Sequence, residues 1–227
     1  MNKNIGIIVA ETEEMIAIEK IMKNIIEIKI YDLTFKKGNI GEKECILVKG
    51  GVGKVNAART TQILTDKFDT QYIINIGAAG ALNEQLDIGD VVIGKELIQH
   101  DFDVTAFGHE KGYISDTGRV FKSNQELIDK CKKVHLKNNK IIEGIITTGD
   151  IFCTDIKMKE NIKNKFNCDC VEMEGAAIAQ VCFLNKVPFI VIRSISDSPN
   201  GKNQIDFKEY LKIASKNCSE FIEQILV

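Results

Sequence analysis

The chain has 227 residues, 44% hydrophobic and 27% charged, which suits one compact α/β domain spanning 1–227. Its formal net charge of -2 argues against nucleic acid as the main partner, since phosphate binding needs a basic face. No apolar run approaches the roughly twenty residues that span a membrane, and the N-terminus shows no signal-peptide pattern, so no membrane is expected and the cytoplasm is the expected location.

Residues 4–9 (NIGIIV) form a continuous apolar run of strand length. A helical pattern follows, with Met15, Ile16, Ile18, Ile21, Met22 and Ile25 apolar between charges. Segments 33–40 and 45–48 read as strands on either side of a turn at Gly41. Gly50 to Gly53 breaks the chain, and 55–64 reads as a helix. Segments 72–76, 91–98, 141–147 and 189–195 read as strands, and 207–225 as a closing helix. Several of these strands are apolar throughout rather than alternating. Such strands are buried on both faces, which calls for helices on both sides of a parallel or mixed sheet. The seven cysteines are irregularly spaced with no C-x-x-C pair, so they are expected to be reduced thiols. His100, His109 and His135 show no ligand spacing, and no metal site is expected.

In open α/β sheets ligands sit beyond the carboxyl ends of the strands. The loops after Val9, Val48, Ile76, Thr148, Val171 and Ile195 are therefore the places to inspect. After Val9 come Glu11, Glu13 and Glu14, which also suit the first turn of a helix. Gly50-Gly51-Val52-Gly53-Lys54 is not a Walker loop, because Val48 stands where the first glycine belongs and Val55 where Ser or Thr would hold magnesium. Its glycines suit a tight turn or a close approach of backbone to ligand. Gly77-Ala78-Ala79-Gly80 has side chains small enough for a flat ligand or for close packing. Phe152 suits either stacking or the core, and Asp197 begins a stretch of turn residues.

The segment 170–182 (CVEMEGAAIAQVC) carries Glu172 and Glu174 at the head of an otherwise apolar helix. Arg193 is one of three arginines in the chain and lies in an apolar strand. Glu14, Glu174, Arg193 and Asp197 are expected to meet at one edge of the sheet. Three carboxylates near one arginine suit acid–base work on a small molecule. Glu172 is expected to be a structural partner, with Arg193 as a candidate.

At this point the sequence resembles a known family. GIIVAETEE (6–14), KGGVGKVNAA (49–58), NIGAAGAL (75–82), HDFDVTAFG (100–108), TGDIFC (148–153), VEMEGAAIA (171–179) and RSISD (193–197) stand in order. They resemble the signatures of the 5′-methylthioadenosine/S-adenosylhomocysteine nucleosidases, within the nucleoside phosphorylase superfamily. The resemblance implies a three-layer α/β/α fold around a mixed, partly barrel-like sheet. It implies hydrolysis of an adenine N-glycosidic bond without a cofactor. Asp197 then matches the acid that protonates adenine N7, and Glu14 the residue that activates water. Met173 and Glu174 match the ribose grip, and Arg193 the arginine near those acids. Phe152 and the Cys153 backbone match the adenine slot, together with Gly80 and the small turn at Ala78. Val52 and Phe207 match positions around the 5′ tail. Val104 and Phe107 match residues supplied by a second subunit, so the resemblance implies a homodimer. Asp197 is expected to keep its proton near neutral pH through burial and nearby acids.

Two other functions remain in view. A purine nucleoside phosphorylase needs arginines and hydroxyls around a phosphate, and the loops here offer acids instead. A non-catalytic nucleoside sensor would lack a reason for Glu14, Glu174 and Asp197. A dinucleotide-binding dehydrogenase is disfavoured because no G-x-G-x-x-G follows the first strand. Glu11 departs from the family pattern, where a methionine commonly touches the 5′-alkylthio group. A carboxylate there suits a more polar or cationic tail.

Overall fold

The computed structural model describes residues 4–197 and 207–227, with side chains in the second stretch from Tyr210 onward. Strand β1 (Asn4–Val9) leads to helix α1 (Thr12–Glu19) and the strands β2 (Lys23–Ile30), β3 (Leu33–Ile40) and β4 (Lys43–Lys49). Next come α2 (Lys54–Phe68), β5 (Thr70–Ala81), β6 (Val91–Gln99) and a short 3₁₀ turn at Thr105–Phe107. They are followed by β7 (Phe121–Lys122), α3 (Gln125–Cys131), β8 (Ile141–Thr148) and α4 (Ile156–Phe166). The chain closes with β9 (Cys170–Glu172), α5 (Gly175–Asn185), β10 (Phe189–Asp197) and α6 (Phe207–Leu226).

The strands run β10-β6-β8-β9-β5-β1-β4-β3-β2, with β7 beside β6. Because β10 also pairs with β5, the strands β10, β6, β8, β9 and β5 close into a small barrel. The other strands extend from β5 as an open arm. The pairings are mixed. β1 is parallel to β4 and β5, and β10 to β5. β10 runs antiparallel to β6, and β9 to β5.

Neighbouring side chains on the central strands feed two different cores. Ile8, Ile73 and Val191 pack with Leu64 of α2 and Ala176 of α5. Their chain neighbours Ile7, Ile74 and Ile192 pack with Ile18 of α1 and Phe221 of α6. Successive strand residues point to opposite faces, so an unbroken apolar run is what a sheet between two helical layers requires. Each such side chain contributes about 1.5–3 kcal/mol when fully buried. All seven cysteines are buried and unpaired. No helix among the described residues is long and apolar enough to cross a membrane.

The helix expected through Ile25 ends at Glu19, and residues 23–30 form β2 instead. Among the described residues β2 is an edge strand that pairs only with β3. There Ile26, Ile28 and Ile30 alternate with charged residues, a period of two that overrides the earlier helical spacing. The Gly41 turn is as expected, with φ of 55°. β5 continues past Ile76 to Ala81, so the Gly77–Gly80 segment is strand and not loop.

Candidate active site

The end of β1 delivers Glu14 into the first turn of α1. Glu11 stands in extended backbone as the N-cap, and Glu14 sits three positions on. From there the Glu14 carboxylate folds back. Its Oε2 accepts the N–H groups of Ala10 and Glu11, each at 3.0 Å. Its Oε1 accepts the N–H of Ala78 on β5, also at 3.0 Å. An acid at this position of a helix is favoured by the exposed N–H groups of the first turn. Burial nevertheless pushes its pKa above the ordinary value, against the pull of the Glu11 N–H, Arg193 and the other amides.

The start of α5 explains the acids around Met173. Glu172 ends β9, and its Oε2 accepts the N–H groups of Glu174 at 3.0 Å and Gly175 at 2.7 Å. Thr148 donates its hydroxyl to Glu172 Oε1 and accepts the Ala176 N–H at 2.7 Å. The orphan donors of the helix N-terminus are thereby met by Glu172 and Thr148. Glu174 is the N-cap residue by position, yet its side chain makes no cap bond. It instead accepts the N–H of Gly53 at 2.9 Å. Gly53 holds φ of 97°, a backbone that glycine adopts without strain. Burial, then the nearby Glu172 charge, pushes the Glu174 carboxyl up to about 7, against Arg193 and the Gly53 N–H.

Arg193 is fully buried in β10, opposite Gly77 of β5. Its Nε donates to Glu172 Oε2 at 3.1 Å, and one terminal nitrogen donates to the same oxygen. That nitrogen also donates to Asn75 at 2.7 Å and lies 3.6 Å from Glu174 Oε2. Burial opposes its charge, but the Glu172 and Glu174 carboxylates outweigh burial and hold the guanidinium above its ordinary pKa. A Cβ at position 77 would stand 2.7 Å from Glu14 Oε1 and 2.9 Å from Arg193 Nη1. Only glycine leaves room for both.

Glu14, Glu174 and Asp197 line one cavity of about 450 Å³, a size suited to a small ligand. Ala78, Gly80, Val52, Phe152, Cys153 and Met173 line it as well. Phe152 is 59% exposed and belongs to the cavity wall rather than to the core. Glu11 lines the cavity and is half-buried. Ile151, Ser196 and Leu211 also line it and were not expected; each is a short or apolar side chain that carries no chemical signal in a sequence.

Some expectations need correction or limits. Arg193 does not line the cavity; it lies behind the wall formed by Glu172 and Glu174. Asp197 does not share that arginine. It is four residues further along β10, roughly 13 Å at strand rise, and opposite Gly80. Its side chain is 32% exposed, and its ion-pair partner is Lys159, at 2.5 Å, rather than another acid. Val104 and Phe107, expected to serve the site of a second subunit, do not line the cavity of their own chain, and Phe107 is 82% exposed. The side chain of Phe207 falls outside the described residues. Among the described residues no group of His, Cys, Asp and Glu is arranged to hold a metal.

The architecture and the match of residues 4–227 to the Phosphorylase superfamily model define the class of protein. A 5′-methylthioadenosine/S-adenosylhomocysteine nucleosidase of Staphylococcus haemolyticus is 41% identical over 224 residues, 98% of each chain. The chain thus belongs to the 5′-methylthioadenosine/S-adenosylhomocysteine nucleosidase family of N-glycosidic hydrolases. The nucleosidase of Neisseria meningitidis, solved with methylthio-immucillin-A, superposes with a TM-score of 0.94 at 35% identity, covering 98% of each chain. A futalosine hydrolase of Helicobacter pylori gives a TM-score of 0.93 at 32% identity, covering 99% of this chain and 97% of its own.

Proposed function

We propose that this chain, as one nucleosidase domain, hydrolyses the N-glycosidic bond of 5′-methylthioadenosine and S-adenosylhomocysteine, releasing adenine and the 5′-substituted ribose. The observation that carries this reading is the presence of Glu14, Glu174 and Asp197 on one small cavity. Adenine leaves poorly until a ring nitrogen is protonated, and the sugar carbon then gains oxocarbenium character. Asp197, at the Gly80 and Cys153 end, is assigned the donation to adenine N7. Glu14 is assigned the activation of water. Burial raises its pKa, and a base works best when its pKa approaches the working pH. Glu174 is assigned the ribose hydroxyls and the positive charge that forms on the sugar. Phe152 and the Cys153 backbone are assigned the purine slot, Met173 the ribose, and Val52 with Glu11 the 5′ tail. Arg193 acts from behind by fixing Glu172, and through it the start of α5.

Water rather than phosphate is favoured as nucleophile. The charged side chains lining the cavity among the described residues are all acidic. A phosphate dianion would meet these carboxylates with no arginine or lysine facing it. We also infer that Phe107 and Val104 meet a second copy of the chain, which the exposure of Phe107 supports.

The test is product analysis in phosphate-free buffer. The native protein is expected to turn over methylthioadenosine to adenine and methylthioribose. Glu14→Gln is expected to lose on the order of 10²–10⁴-fold in turnover while still binding a ribosyl-cation mimic. Turnover that appears only on adding phosphate would replace this reading with phosphorolysis. Binding without adenine release would replace it with a sensor.

A further inference from the structure

α4 turns Lys159, Ile162 and Phe166 inward, at the spacing of one helix face. Ile162 and Phe166 join a small apolar core with Cys153 and Val171, both of which line the cavity. Lys159 takes the next place along the same stripe, where an apolar residue would continue the pattern. It is only 4% exposed, and a buried ammonium needs a charged or hydrogen-bonding partner. Its Nζ donates to Asp197 Oδ2 at 2.5 Å. Lys159 does not itself line the cavity. It approaches Asp197 from α4, and Gly80 of β5 pairs with Asp197 along the strand. A Cβ at position 80 would lie 2.9 Å from Oδ1 and 3.2 Å from Oδ2.

We propose that Lys159 is a positioning residue for the nucleosidase reaction, holding the Asp197 carboxyl by one oxygen at the purine end of the cavity. The inference rests on the assignment of Asp197 as the acid that meets the base. Asp197 closes β10 and is partly exposed, so without a partner its side chain is free to rotate toward solvent. Fixing Oδ2 leaves Oδ1 as the oxygen to face the purine. The contact is therefore one that orients the Asp197 side chain before the base arrives.

The experiment compares native protein, Lys159→Met, Lys159→Arg, Asp197→Asn and the double variant Lys159→Met/Asp197→Asn. Lys159→Met is expected to lose on the order of 10²-fold in kcat, the scale of a misplaced reacting group, with a smaller change in KM. Lys159→Arg is expected to recover much of that loss, because it restores the charge and the donor. Adenine affinity, measured by calorimetry, is expected to fall in Lys159→Met. It is expected to fall no further when Lys159→Met is added to Asp197→Asn. Lys159→Gln carries the same expectations and takes the place of Lys159→Met if the latter does not fold. Native kcat and KM in Lys159→Met would overturn the proposal, as would an equal loss of adenine affinity with and without Asp197. Failure of the nucleosidase assignment looks different: the native protein itself would then release no adenine.

Discussion

Glu174 accepts the backbone N–H of Gly53 at 2.9 Å, which fastens the start of α5 to the glycine loop after β4. The carboxyl is buried, and its pKa rises from the ordinary 4.5 to about 7. The folded protein therefore holds this proton to higher pH than the unfolded chain does. The stability this group contributes is complete below pH 4.5 and is lost as pH rises through about 7. Glu174→Gln, which has nothing to titrate, is expected to flatten that fall. Urea unfolding of native and variant protein across this range checks it, and parallel pH profiles would contradict it.

Gly77 separates Glu14 from Arg193 with no space to spare. Gly77→Ala places a methyl group 2.7 Å from Glu14 Oε1 and 2.9 Å from Arg193 Nη1. Both side chains are buried and multiply bonded, so neither can move aside cheaply. Turnover is expected to drop on the order of 10²-fold, as for other small displacements of a reacting group. Steady-state assay of adenine release decides it, and a native rate would show that the Glu14 position tolerates displacement.

Glu172 anchors Arg193 and caps α5 through one carboxylate oxygen. Glu172→Gln leaves a buried guanidinium with its next acid, Glu174, at 3.6 Å. Breaking a buried pair from one side costs about 3–5 kcal/mol. Chemical denaturation is expected to report a loss of that order. A change within about 0.5 kcal/mol, typical of surface positions, would contradict the role.

How far the sequence announced this arrangement depends on where each signal lay. The central strands were legible because unbroken apolar runs such as 4–9 and 189–195 have few soluble alternatives to a sheet buried on both faces. Strand ends marked where to look, but Glu14 and Asp197 each also suited a helix turn or a loop, and the resemblance of whole segments such as 6–14, 171–179 and 193–197 singled out Glu14, Glu174 and Asp197. α4 was not legible, because Lys157, Lys159, Lys163 and Lys165 make 156–166 look like solvated chain. Lys159 was hidden for the same reason. Among many lysines, only its spacing from Ile162 and Phe166 hinted at an inward face. Its pairing with Asp197 is a tertiary contact across 38 positions that no local pattern encodes. The division of labour between Glu172 and Glu174 was half legible. Their types marked a site, but which of them caps the helix depends on the backbone turn at Met173.

Glu11 bears on substrate preference. It lines the cavity while serving as the N-cap of α1, so its side chain lies near the place assigned to the 5′ tail. A carboxylate beside a thioether gains nothing, whereas one beside the ammonium of the homocysteine tail gains a charge partner. Glu11→Met is expected to shift the kcat/KM ratio toward methylthioadenosine and away from S-adenosylhomocysteine. An unchanged ratio would remove Glu11 from the tail site.

The most direct measurement is a crystal structure with methylthio-immucillin-A bound. The expected density places the purine beside Asp197 and Phe152, the sugar ring on Glu174 and Met173, and a water or ring cation facing Glu14. A ligand bound outside this cavity, or turned so that its base lies on Glu14, would contradict the convergence of the three acids on one nucleoside.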